Sequence, residues 1–190
     1  MDKTTKVFIA GSRYLSELNA GVKTRLNNIL RKGFTIFVGD ANGVDKAVQQ
    51  YLKSKKYDRV TVFCMADRCR NNIGDWPTRS ISTTDSHRHD FAYYSTKDQA
   101  MVQESDYGLM LWDGKSRGTL RSIVDLVRQR KPVLVYIAPE KAFYSIRRHD
   151  HLTKMLNHVD SAALEGIDHE LRVFAMGGKT NGKAQTMKLF

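Results

Sequence analysis

Five short runs rich in β-branched and aromatic residues recur along the chain: KVFIA (6–10), FTIFV (34–38), RVTVF (59–63), YGLMLW (107–112) and KPVLVYI (131–137). Stretches with helical period lie between most of them. Strands without a regular polar alternation are buried on both faces, and strands that alternate with helices pair in parallel. This alternation predicts an α/β fold with a parallel sheet covered on both sides and right-handed crossovers.

The helical stretches are legible by their stripes. Leu18, Val22, Leu26, Ile29 and Leu30 share one face over 17–32, and Gly33 is a stop signal. Val44, Ala47, Val48, Tyr51 and Leu52 give a second helix. A third is expected over 95–105, capped by Ser95 or Thr96. A fourth runs over 119–130 and a fifth over 146–159, where RRHDH (147–151) is a basic patch. LRVFAM (171–176) reads as a sixth strand at an edge. Residues 64–94 break the rhythm and are long for a connection. The expected organisation is a ligand-binding domain over 1–139, an extension over 140–176 that packs on the domain or in an oligomer interface, and a polar tail over 177–190.

Composition narrows the function classes. A chain of 190 residues, 41% hydrophobic and 27% charged, suits one soluble domain. It holds no apolar stretch of membrane-spanning length, and its N-terminal apolar run is too short for a signal peptide, so no membrane partner and a cytoplasmic location are expected. The net charge of +11 is concentrated early: residues 1–60 carry 12 Lys and Arg against 5 acids. A basic surface favours nucleotides, nucleic acid or phosphorylated metabolites without choosing among them. No nucleic-acid motif supports the second. Cys64 and Cys69 fit neither a zinc site nor C-x-x-C and read as free thiols. No metal and no cofactor is read.

Ligands in such sheets bind beyond the carboxyl ends of the strands. Three glycine-containing loops fall there: Gly11-Ser12-Arg13, Gly39 to Asp45 with Gly43, and Asp113 to Thr119 with Ser116 and Gly118. Helix N-termini following such loops favour a phosphate. Gly11 and Gly118 admit a ligand to the backbone, the Ser12 hydroxyl is a hydrogen-bond donor, and Arg13 grips phosphate or braces its loop. Thr119 caps its helix or donates to the anion. Asp45 and Asp113 each hold a sugar hydroxyl or serve as a local cap. The spacing is neither G-x-G-x-x-G nor G-x-x-x-x-G-K-[ST].

VFIAGSR, GDANGVDKAV, KDQAMVQESDYGLMLWDGKSRGT and KPVLVYI together resemble the SLOG superfamily, most closely its YspA-like branch of domains of unknown function. Gly11, Ser12 and Arg13 match its G-S-R. Gly39, Gly43 and Asp45 match its second turn, and Ser116, Gly118 and Thr119 its third. The resemblance covers 6 to about 137. It implies a Rossmann-like three-layer sandwich with a mainly parallel sheet of five or six strands, ordered 3-2-1-4-5, that binds nucleotides or nucleotide-derived ligands. More distantly the chain is similar to cytokinin-activating phosphoribohydrolases and nucleoside deoxyribosyltransferases. Those enzymes carry a glutamate after G-T at the position of Ser122, and a serine without a nearby base is a poor substitute for a carboxylate. Cleavage of a nucleoside 5'-monophosphate at its N-glycosidic bond is therefore the alternative reading, with no catalytic residue assigned, and nucleic-acid binding the second alternative.

Two expectations complete the reading. Residues 64–94 form a lid carrying Arg68, Arg70, Trp76, Arg79, His87, Arg88 and His89, or a fixed excursion packed through Ile73, Trp76 and Ile81. Phe143, Leu152, Met155, Leu156, Leu164 and Leu171 exceed what a fold closing near residue 137 needs, which points to a homodimer or higher oligomer.

Overall fold

The computed structural model describes residues 4–66, 69–82 and 91–159, and the backbone alone at 91–93. Its elements run β1 (Lys6–Gly11), α1 (Ala20–Arg31), β2 (Thr35–Gly39), α2 (Val44–Ser54), β3 (Val60–Met65), β4 (Thr78–Ile81), α3 (Phe91–Glu104), β5 (Tyr107–Trp112), α4 (Arg117–Arg128), β6 (Val133–Ile137), β7 (Ala142–Ile146) and α5 (His149–Leu156). The sheet order is β4-β3-β2-β1-β5-β6-β7. All pairings are parallel except β6 with β7. This is a Rossmann-like α/β sandwich, and its inner five strands have the expected 3-2-1-4-5 order.

Among the described residues seven strands stand where five or six were expected. β4 lies inside the stretch read as irregular. Its residues Thr78, Arg79 and Ser80 are exposed at the sheet edge, so no apolar pattern marks it. β7 lies within the extension and closes the other edge. The strand expected at 171–176 lies outside the described residues.

Successive side chains of each strand serve opposite layers. Val7, Ile9, Ile36, Val38, Val60 and Val62 pack with Val22, Leu26, Ile29 of α1 and Val44, Val48, Leu52 of α2. Phe8, Phe37, Phe63, Met110 and Trp112 pack with α3, α4 and α5 on the other face. Leu152, Met155 and Leu156, from which assembly was expected, are buried in this second layer of the chain's own core.

Helix starts differ from the periodicity for a local reason. The Asn19 side chain accepts from Val22 N at 2.8 Å, so α1 opens after Asn19 and Leu18 stays outside it. Gly33, at φ 67°, ends it as expected. Ser116, rather than Thr119, caps α4, its hydroxyl accepting from Thr119 N. Ser95 and Thr96 lie inside α3, which begins at Phe91 rather than after them. Cys64 and Cys69, expected as free thiols, are joined in a disulfide with Cα atoms 5.0 Å apart. A left-handed turn at Ala66, φ 56°, follows β3 and precedes Cys69.

Candidate functional site

The turn after β5 is built by Asp113. Its carboxylate accepts the backbone N–H groups of Lys115 (3.0 Å) and Ser116 (2.7 Å) and the Ser12 hydroxyl (2.6 Å). Gly114 takes φ 80°, and the Trp112 indole N–H donates to Ser116 O at 3.0 Å. Asp113 is thereby a local organiser. Ser12 ties the three glycine loops into one body: its N–H donates to Leu111 O, its carbonyl accepts from Val44 N, and its hydroxyl also accepts from Tyr14 N. Ser12 is fully buried and its hydroxyl proton is committed to Asp113, which corrects the expectation that it donates to a ligand.

At three of the positions protein atoms fill the space a Cβ would need: on Gly11, expected to admit a ligand, it would lie 2.2 Å from Leu111 O. A Cβ on Gly43 lies 2.4 Å from Arg13 O, and one on Gly39 lies 2.3 Å from the Asp45 carboxylate. Gly43 thus lets the second loop close on the first. Gly39 makes room for a charge network.

Around these loops lies a crevice of about 370 Å³ lined by Ala10, Gly11, Ser12, Arg13, Tyr14, Asp45, Asp98, Lys115, Ser116, Arg117, Gly118, Thr119 and Ser122. It sits at the carboxyl ends of β1 and β5, where the strand order reverses. Arg13, Lys115 and Arg117 are exposed at its rim, and Tyr14 is 89% exposed beside them. The first turn of α4 opens into it. Cations and a helix N-terminus meet there, and both favour an anion.

Behind the rim is a set of charges that periodicity did not mark as functional. Asp40, at the end of β2 and 2% exposed, accepts from Arg70 through its N–H (3.0 Å), Nε (3.1 Å) and Nη2 (2.8 Å), and from Lys97 Nζ at 2.8 Å. Burial opposes ionisation of Asp40, but the bonds from Arg70 and the charge of Lys97 outweigh it and hold the carboxyl well below the usual range. Asp45 accepts the Ala41 N–H at 3.1 Å, and burial pushes its carboxyl up despite the Lys97 charge. Arg70 and Arg13 both lie over the Tyr94 ring, at 4.8 and 5.2 Å from its centroid.

Asp98 is the carboxylate that the sequence reading missed. It is half-buried at the crevice, and burial pushes it up to about 6, with the Lys97 charge opposing and Asp45 adding. A raised carboxyl binds its proton more tightly in the folded chain. The stability this provides is complete below the ordinary value near 4 and is lost as pH rises through about 6. Asp98→Asn is therefore expected to raise the unfolding free energy by about 2 kcal/mol at pH 8 and to change it little at pH 4. Urea unfolding at the two pH values measures the difference.

The lid residues scatter. Trp76 is 8% exposed, packs in the α1–α2 layer and donates its indole N–H to Tyr57 O at 2.9 Å, so it is a core residue and no cover for the crevice. Arg79 pairs with Glu104 at 3.5 Å. Arg70 is linked to the crevice indirectly, through the Tyr94 ring that it shares with Arg13. Arg68, His87, Arg88 and His89 lie outside the described residues. Ser122 is buried in α4 with its hydroxyl donating to Gly118 O at 3.2 Å.

The fold and the crevice define a Rossmann-like protein with a cation-rimmed crevice at the switch point of its sheet. A solved structure with this architecture is that of DNA processing protein A from Helicobacter pylori, described for its single-stranded DNA binding mode; the TM-score is 0.54 and the identity 19% over 70% of this chain. The chain spans 66% of the length of that structure, and at this identity the likeness is one of fold. No family model and no curated protein matches the chain. Among the described residues no helix is long and apolar enough to cross a membrane.

Proposed function

We propose that the crevice binds a nucleotide or nucleotide-derived phosphorylated ligand, in keeping with the SLOG-like and YspA-like motifs. The observation that carries the reading is the meeting of Arg13, Lys115 and Arg117 with the first turn of α4 around one cavity. A phosphate sits against Gly118, Thr119 and the rim cations, and Asp45 and Asp98 face the sugar or base from the floor. Calorimetric titration with mono- and dinucleotides tests it. Arg13→Ala is expected to weaken binding about tenfold, the value of one charge-assisted hydrogen bond, and Arg13→Ala with Gly118→Asp to weaken it further. Unchanged affinity in the double variant removes the site.

Tyr14 favours a second reading. An aromatic ring 89% exposed beside cations is a platform for an unpaired base, and the similar fold of DNA processing protein A is described for single-stranded DNA. An oligonucleotide that crosses the rim binds with a steep salt dependence, whereas a free nucleotide does not. Cleavage of a nucleoside 5'-monophosphate is read by chromatography of released base. Asp98 and Asp45 supply the carboxylates that Ser122 does not. Self-assembly and a cytoplasmic location go with this reading, and light scattering tests the first.

A further inference from the structure

We propose that Cys64–Cys69 is a reversible thiol–disulfide site that sets how firmly Arg70 is held on Asp40 and, through Tyr94, how Arg13 is presented to the crevice. The bridge joins the end of β3 to the residue immediately before Arg70. Cys64 is fully buried on β3 and paired with Ser80 of β4, so the bond anchors a loop to the sheet. Arg70 places one backbone and two side-chain donors on the Asp40 carboxylate. Its guanidinium shares the Tyr94 ring with Arg13, which lines the crevice. The path from sulfur to crevice is therefore continuous through contacts. Cys69 is only half-buried, and accessible bridges are the ones that cycle.

The two sulfurs are unequal. Cys69 is half-buried and Cys64 is enclosed, so an incoming thiolate reaches Cys69. A thiolate of a small dithiol attacks Cys69 Sγ, the S–S bond breaks, and Cys64 leaves as a thiolate that takes up a proton. The Val62 carbonyl, 3.7 Å from Cys64 Sγ, accepts the resulting S–H. The second thiolate of the dithiol then attacks its own sulfur in the mixed disulfide and releases Cys69, which is protonated in turn. Two electrons pass to the protein, and the dithiol leaves as its cyclic disulfide.

The test uses the full chain without ligand, so its outcome is separate from that of the crevice reading. Peptide mass after alkylation is expected to show neither cysteine modified following treatment with glutathione disulfide, and both modified following dithiothreitol. Hydrogen exchange at the Arg70 amide is expected to be on the order of tenfold faster in the reduced chain, with Ile36 and Val38 in the sheet unchanged. Cys69→Ser should show the faster rate whether or not reductant is present. Alkylation of both cysteines after glutathione disulfide overturns the proposal, and so does a bridge that forms while Arg70 exchanges equally in both states.

Discussion

Asp40→Ala is expected to lower the unfolding free energy by about 3–5 kcal/mol at neutral pH. The carboxylate is 2% exposed and receives four bonds from Arg70 and Lys97, and Lys97 itself is 4% exposed on its side chain. Removing the anion leaves a buried ammonium beside the raised carboxyls of Asp45 and Asp98. Asp40→Ala with Lys97→Met removes both charges, and its loss is expected to be the smaller by about 2 kcal/mol or more. Urea unfolding of the three proteins measures this. The pH dependence has a definite sign. The Asp40 carboxyl is lowered in the folded chain, so its contribution is present above the ordinary value near 4 and is lost as pH falls below it. The wild type therefore loses stability on that acid limb, and the Asp40→Ala limb is expected to be flatter.

Gly43→Ala is expected to cost about 3 kcal/mol. Gly43 precedes α2 at φ 76° and ψ −129°, a region that side chains do not enter without strain. An added Cβ also falls 2.4–2.5 Å from three backbone atoms of Arg13, which have no rotamer by which to move away. The clash displaces the first loop, so on the proposed reading of the crevice nucleotide affinity falls together with stability. A variant that loses neither would show that the two loops are not packed as described. Thermal unfolding and calorimetry on the same preparation read both.

Where the sequence was legible, burial had written a pattern. β1, β2, β3, β5 and β6 were read because strands covered on both faces need apolar residues throughout. β4 was missed because an edge strand with three exposed residues has no such need. The glycine loops were found by spacing, but not the tasks of their members: Ser12 and Asp113 bond each other, and Gly39 and Gly43 make room for protein atoms. Lys97 and Asp98 were passed over because charges within a helix ordinarily face water. A signal was present, since each stands four residues before a buried residue, Met101 and Val102, and so lies on the buried stripe. Trp76 looked available because it stands in a polar stretch; its partners Tyr57 and Asn72 are contacts that periodicity does not reveal.

The central strand of the sheet has a consequence for synthesis. β1 pairs on one side with β2 and on the other with β5, and the Lys6 N–H meets the Asp106 carboxylate across a separation of 100 residues. On a ribosome adding roughly 5–20 residues per second, β2 arrives early while β5 follows β1 by roughly 5–20 seconds. Through that interval the nascent half-sheet holds Val7, Phe8 and Ile9 at an open edge that the finished molecule encloses completely. An unpaired apolar edge is a template for another chain. The strand at the heart of the folded protein is thus its most vulnerable one during translation, and it is the segment that a chaperone has most reason to cover.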